Sequence, residues 1–317
     1  MVGFVAATFL RGVPYIQVPT SLLAMVDSSI GGKTGVDTIF GKNLVGAFHQ
    51  PLRVYIDLSL LRSLPSRQLS NGMAEVIKTA AIRSADEFSF LESHVSSILA
   101  GDADALLTAV LGSVRAKAAI VTADEREGGL RELLNFGHSI GHAVESLMQP
   151  GMLHGEAVAI GMVKEAELAR LLGHLSQAVL GRLTRLLDAY ALPTELPAGL
   201  AMDDLMDRMA VDKKNKGGKK AVVILAGIGA TYQKRATIVQ DQAIRTVLSP
   251  ALTIIPPPAR VTAALAVPGS KSISNRALLL ACLGSGECRC EFLVLNMAFL
   301  GWNWMDLVGF CCILMVF

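Results

Sequence analysis

Apolar positions change their period along this chain. Over residues 1–65 they fall in short runs set off by glycine turns. Tyr15–Pro19 and Val54–Asp57 are two such runs and predict strands. Between them lies a polar, glycine-rich segment, Asp27 to Lys33 and on through Gly41-Lys42-Asn43, which is expected as loop. Met1–Arg11 reads as a helix with no capping residue ahead of it. From Pro65 the apolar positions recur every three to four residues. That spacing predicts helices over Arg67–Ser84, Asp86–Leu99, Ala103–Ala123, Leu133–Met148, Glu156–Leu172, Ser176–Tyr190 and Met202–Met209. A basic loop, Asp212–Lys220, leads into Ala221–Leu225, an apolar run expected as a buried strand. The pattern divides the chain into an α/β segment (1–65), an all-α segment (66–247), a linker opening a further α/β unit (248–291) and an apolar tail (292–317). The linker centres on Pro256-Pro-Pro258, with a strand expected over Val261–Val267 and a helix over Ala277–Leu283.

Composition excludes several classes of function. The net charge is +2 and aromatic residues make up 5% of the chain, too little charge and stacking surface for a nucleic-acid binder. All five cysteines lie at position 282 or beyond, at spacings that fit neither a disulfide framework nor a zinc finger, so a reducing, cytoplasmic setting is expected. The N-terminus has no basic region and no cleavage site of the secretory kind. The tail is long enough to span a bilayer. Asn296, Asn303 and Asp306 inside it, and no flanking basic cluster, argue against a membrane span and for an aberrant extension.

The richest stretch runs from Arg131 to Glu145. On a continuous helix Arg131, Asn135, His138 and His142 would share one polar stripe, and Phe136, Ile140, Val144 and Leu147 an apolar one. Gly137 and Gly141 beside the polar stripe cost helix stability and imply that something approaches the backbone there. Such a stripe suits a pocket holding a metal, an anion or both better than it suits solvent, although a buried hydrogen-bonded network would use the same residues. His154 follows at a glycine turn, and Glu75 sits on an earlier helix in Gly72-Met-Ala-Glu-Val-Ile-Lys78. Catalytic zinc takes three ligands from such groups and keeps one position open. Spacing alone nominates His138 with His142. Ser139 stands where a zinc-protease helix needs glutamate, which excludes that class. His49, His94 and His174 have no partners in sequence and read as surface or satisfied core residues. Lys33, Lys42, Lys78, Lys117, Arg131, Lys213 and Lys214 supply cations suited to a phosphorylated, carboxylated small molecule. A P-loop needs glycine six residues before its lysine, but Asp27 precedes Lys33 and Val36 precedes Lys42 at that distance, so an ATPase is excluded. Glu127 is a candidate general base or a helix-start charge. Pro268–Arg276 sets a Gly-Ser-Lys-Ser turn at a helix start, which favours phosphate.

These residues resemble a known family. Gln17–Thr34, Asn71–Lys78 and Leu134–His142 are similar to 3-dehydroquinate synthase in the form found in the pentafunctional arom polypeptide, and Pro268–Ala281 resembles the opening of EPSP synthase, which follows it there. The resemblance implies the later part of an NAD-binding α/β domain over 1–65 and a helical zinc and substrate domain over 66–247. It implies conversion of DAHP to 3-dehydroquinate and phosphate in the shikimate pathway of aromatic amino acid biosynthesis. The steps would be oxidation by NAD, phosphate elimination, reduction and an intramolecular aldol reaction, with zinc polarising the oxygen being oxidised.

Carried over by position, the resemblance makes Glu75, His138 and His154 the zinc ligands, in place of the His138–His142 pair. Glu127 becomes the proton acceptor, and His142 a catalytic or substrate-contacting residue. Arg11, Asp27, Lys33, Asn43, Lys78, Lys117, Arg131, Asn135 and one of Lys213 or Lys214 contact substrate, and Thr20, Ser21, Lys42 and the Leu60–Ser63 turn contact NAD. Lys271, Ser272 and Arg276 match EPSP synthase substrate residues. A homodimer is implied as well. The chain departs from the family in three places. The family's Gly-rich phosphate loop has no counterpart ahead of Met1, Ser97–Asp104 is shortened, and the EPSP synthase match ends near Cys290, so that second activity is not expected. Two other readings compete: a non-catalytic fragment, and a related metal-dependent polyol dehydrogenase, against which Glu127 and the cations speak.

Overall fold

The structure, a computed structural model, describes residues 1–38, 41–210 and 219–249. The expectations placed on Lys213, Lys214, Lys271, Ser272, Arg276, the linker and the apolar tail lie outside them, as do the side chains of Lys42 and Asn43.

Helix α1 (Val2–Thr8) starts without a side-chain cap, as its sequence implies. It packs on a hairpin of β2 (Lys33–Thr38) and β3 (Gly41–Phe48), which pair antiparallel from Lys33↔Phe48 to Thr38↔Gly41. This hairpin occupies the segment expected as loop. Its glycines and polar residues obscure the alternation that marks a half-buried strand, and pairing across the turn overrides their low strand propensity. The two expected strands are shorter than their apolar runs. β1 (Ile16–Gln17) pairs in parallel with β4 (Arg53–Val54). Large apolar side chains stay exposed on this segment, among them Val2, Phe9, Leu10, Ile16, Val18, Leu52 and Tyr55.

The helical part follows the sequence pattern closely. The helices are α2 (Ser66–Arg83), α3 (Ala85–Ser93), α4 (Val95–Leu99), α5 (Ala103–Ala123), α6 (His138–Met148), α7 (His154–Leu171), α8 (Gln177–Ala189) and α9 (Met202–Ala210). Side-chain caps set three of the starts: Ser84 accepts from the Glu87 amide, Asp102 from Ala105 and Ser176 from Val179. The helix expected over Asp86–Leu99 breaks at His94 into α3 and α4. The apolar run at Ala221–Leu225 is split between β5 (Lys220–Val222) and β6 (Leu225–Gly227). Pattern reading missed their antiparallel partners, β8 (Thr237–Val239) and β7 (Ala230–Thr231), as well as α10 (Asp241–Leu248). Among the described residues one helix, α5, is long and apolar enough to cross a membrane; half of it is buried inside the fold, against α2 and α3.

Two helices are buried around most of their circumference, as a helix at the centre of a core must be. Every residue of α2 from Leu69 to Ile82 is buried, Glu75 and Lys78 included. α7 packs against both α2 and α6. Arg67 on α2 grips Glu156 of α7 through two nitrogens, at 2.6 and 2.8 Å, and Glu156 accepts the Leu153 amide at the helix start. Glycine allows the close crossing. A Cβ on Gly161 would lie 1.9 Å from the carbonyl oxygen of Gly137, and one on Gly155 2.0 Å from that of Asn71. The close neighbour implied by Gly137 and Gly141 is therefore helix α7 itself. We expect Gly161→Ala to lose about 3 kcal/mol, the upper end for overpacking, because the obstructing atoms are backbone. Urea unfolding measures this, and a loss below about 1 kcal/mol would contradict so tight a crossing.

Candidate metal centre and its charged surroundings

Glu75 and Lys78 lie one turn apart on α2, both almost fully buried and paired with each other. The pairing engages Glu75 Oε2. The other oxygen, Oε1, is buried and accepts no hydrogen bond. An orphaned carboxylate oxygen in a core is costly unless a cation completes it.

Three imidazoles surround that region. The expected Leu133–Met148 helix is interrupted: a 3₁₀ turn covers Leu130–Asn135, Gly137 takes a left-handed φ of 77°, and α6 begins at His138. The buried Glu165 of α7 makes this start possible, accepting from the amides of Gly137 (2.7 Å), Ser139 (3.0 Å) and Ile140 (3.2 Å). Free amides at a helix start attract a carboxylate. His142 follows one turn later on α6, and His154 opens α7. One nitrogen from each of the three rings comes within 4.8 Å of the other two. His138 Nε2 is 3.5 Å from Glu75 Oε1, and His154 Nε2 is 3.7 Å from it, beyond hydrogen-bond reach. The Nδ1 atoms face elsewhere, His138's to the Phe136 carbonyl at 3.1 Å and His154's to Glu145 Oε2 at 3.2 Å. Two Nε2 atoms thus flank the orphaned oxygen. His142 is exposed beside them.

Electrostatics treat the three groups differently. Burial opposes ionisation of Glu75, but Lys78 and His154 outweigh it and hold the carboxyl well below the usual range. Burial, together with Lys78 and the neighbouring rings, keeps His138 neutral far below the ordinary histidine value. Burial works against protonating His154 too, yet its hydrogen bond to Glu145 and the Glu75 charge push it up to about 10. The fold therefore stabilises positive charge between these two carboxylates.

A second set of charges lies along the loop before α6. Asp124 shapes that loop by accepting the amides of Gly128 (2.7 Å), Gly129 (2.8 Å) and Arg131 (2.9 Å), and Glu127 within it adopts a left-handed φ of 62°. Lys33 Nζ is 2.6 Å from one oxygen of Glu127, and the Asn135 amide donates to the other at 3.2 Å. Arg131 is buried; its guanidinium donates to the carbonyls of Gly31 and Glu125 and stacks over Phe48. With the helix broken at Gly137, Arg131 does not continue the α6 stripe. Lys117 is buried against Asp27, bonding its carboxylate and its carbonyl oxygen. Burial pulls Lys117 below its ordinary range against the attraction of Asp27. Asp27 in turn is held low by Lys117 and Lys78, over the opposition of burial and the Glu75 charge. These interactions join the two sets into one charged network.

Arg11 lies exposed and is bound to none of these residues by an ion pair or hydrogen bond among the described contacts. Thr20 and Ser21 follow the carboxyl end of β1, and Leu60 and Ser63 lie in the 3₁₀ turn Leu58–Ser63 that follows β4. As β1 and β4 are parallel neighbours, both loops leave the same edge, where open parallel sheets receive their ligands. The remaining histidines are satisfied locally: His49 bonds Val13 O, His94 bonds Phe90 O and His174 stacks on Tyr232. Pattern reading missed Asp124, Glu145 and Glu165. Only Glu145 left a local signal, seven residues from His138 and three from His142 on the same helical face.

The 3-dehydroquinate synthase N-terminal model matches residues 1–71 and the C-terminal model residues 72–215, while the EPSP synthase (3-phosphoshikimate 1-carboxyvinyltransferase) model matches residues 255–295. The fold is similar to that of 2-epi-5-epi-valiolone synthase from Streptomyces hygroscopicus subsp. jinggangensis 5008, a structure with NAD+ and Zn2+ bound. The two are 34% identical, with a TM-score of 0.71 over 78% of this chain and 68% of that one. A 2-deoxy-scyllo-inosose synthase, complexed with carbaglucose-6-phosphate, NAD+ and Co2+, is 28% identical with a TM-score of 0.70 over 78% and 69%. A probable glycerol dehydrogenase from Sinorhizobium meliloti 1021 shares the fold at 17% identity and a TM-score of 0.52, over 76% and 70%. With both halves of the family's sequence pattern present in order, and with the fold of its cyclase relatives around a buried carboxylate and three imidazoles, this chain belongs to the 3-dehydroquinate synthase family.

Proposed function

We propose that this chain is a 3-dehydroquinate synthase, a carbon–oxygen lyase releasing phosphate from DAHP, with NAD and zinc as cofactors. One observation carries the reading: the orphaned Glu75 oxygen between two imidazole nitrogens, electrically joined to the network that holds Glu127. The EPSP synthase pattern farther along the chain supports the shikimate-pathway assignment over the other cyclases of this fold.

In this proposal Glu75, His138 and His154 hold the metal. NAD and the metal, when bound, supply the hydride acceptor and the Lewis acid. The protein supplies charge and position. Lys33, Lys117 and Arg131 give the substrate's phosphate and carboxylate a positive field, and Lys78 keeps the metal-binding carboxylate ionised. Lys33 and Asn135 fix the two oxygens of Glu127, which accepts the proton lost on phosphate elimination. His142, exposed on the same helical face, contacts the substrate. Thr20, Ser21, Leu60 and Ser63 line the cofactor edge. The homodimer, Arg11's role in substrate binding and a cytoplasmic location belong to the same proposal.

Phosphate release from DAHP, with zinc and NAD supplied, tests it. We expect turnover by the wild-type chain that disappears in His138→Ala. A folded, zinc-loaded, NAD-bound chain that releases no phosphate would overturn the reading.

A further inference from the structure

We propose that Glu145 is the positioning residue of the metal centre: it holds the His154 ring so that Nε2 is presented as a ligand. The inference rests on the metal-centre reading given above and extends it to a residue outside the ligand set.

Histidine can bind a metal through either ring nitrogen, and the hydrogen bond made by the other decides which. Glu145 Oε2 lies 3.2 Å from His154 Nδ1. When a metal displaces the Nε2 proton, the Nδ1 proton stays on the Glu145 side, and the freed Nε2 lone pair faces the orphaned Glu75 oxygen. Glu145 is itself fixed, since its other oxygen accepts from the Gln149 side chain at 3.1 Å and its side chain is largely buried. Its helix also carries His138 and His142, so a single rigid element sets one ligand directly and orients another on α7. His138 shows the contrasting arrangement. Its Nδ1 faces a neutral backbone carbonyl, that of Phe136. A carboxylate partner makes an imidazole a stronger donor than a carbonyl does, and it locks the ring more firmly. The centre thus has one ligand held by charge and one held by backbone.

The test is zinc affinity of the full chain, by competition with a chromophoric chelator, for the wild type, Glu145→Gln and Glu145→Ala. We expect Glu145→Ala to bind zinc about 10–100-fold more weakly, the usual effect of losing such a partner. Glu145→Gln should fall between, because its amide oxygen still accepts the Nδ1 proton without the charge. Substituting Co2+ gives a second readout: the visible absorption of the bound ion should change in Glu145→Ala, which a change in fold stability alone would not produce. If Glu145→Ala fails to fold, Glu145→Gln decides the question alone. Affinity within twofold of wild type in a folded variant overturns the role of Glu145 and leaves the metal centre intact. A folded wild-type chain that binds no zinc overturns the metal centre, and the role of Glu145 with it.

Discussion

Glu165→Ala should destabilise the chain by about 4 kcal/mol. The residue is completely buried, and its carboxylate receives three amides at the start of α6. Alanine would leave those donors facing a dry cavity. Each unsatisfied buried group costs about 1–3 kcal/mol, and partial relaxation of the helix start recovers some of the sum. Glu165→Gln retains one acceptor but turns an amide N–H towards the helix N-terminus, so about half the loss is expected there. The effect should reach the metal centre as well, because His138 is the first residue of the helix that Glu165 fixes. Urea unfolding with zinc absent, followed by zinc titration, separates the two consequences. A loss below about 1 kcal/mol in Glu165→Ala would show that water or another side chain can replace the cap.

Glu127→Gln should lower turnover by about 10²–10⁴-fold, the usual contribution of a positioned general base. The substitution keeps the shape of the side chain and removes its charge, and with it the ability to take a proton and the ion pair with Lys33. Its position is already determined, with Lys33 on one oxygen, Asn135 on the other and a loop held by Asp124 behind it. KM for DAHP should therefore move far less than kcat, as expected when the lost interaction belongs to the transition state. Steady-state phosphate release measures both. Turnover within tenfold of wild type would assign the proton to another group, and exposed His142 is the first to examine.

Local physics made much of the helical part readable. α5 matches its apolar period from end to end, and Asp102 ahead of it is a cap by residue type as well as by geometry. What escaped reading was non-local. The stretch from Arg131 to His142 has helical spacing, yet the helix breaks because α7 crosses at Gly137 and because the cap of α6 comes from Glu165, 28 residues away in sequence. The β2–β3 hairpin hid behind glycines whose pairing partners, not their own propensities, make them strand. The metal site repeats the lesson. Spacing on one helix favours His138 with His142, whereas the fold adds a carboxylate from α2 that no local pattern links to them. The resemblance supplied that carboxylate, and the orphaned oxygen of Glu75 is the physical observation in its favour.

Zinc stoichiometry by elemental analysis of the purified wild type, Glu75→Gln, His142→Ala, His154→Ala and Lys117→Ala tests the ligand set. The geometry offers two ligand sets that share His138 and His154, one completed by Glu75 and the other by His142. One zinc per chain is expected in the wild type, His142→Ala and Lys117→Ala, and loss of the metal in Glu75→Gln and His154→Ala. Zinc retained by folded Glu75→Gln and lost from His142→Ala would contradict it and give the third ligand to the exposed imidazole.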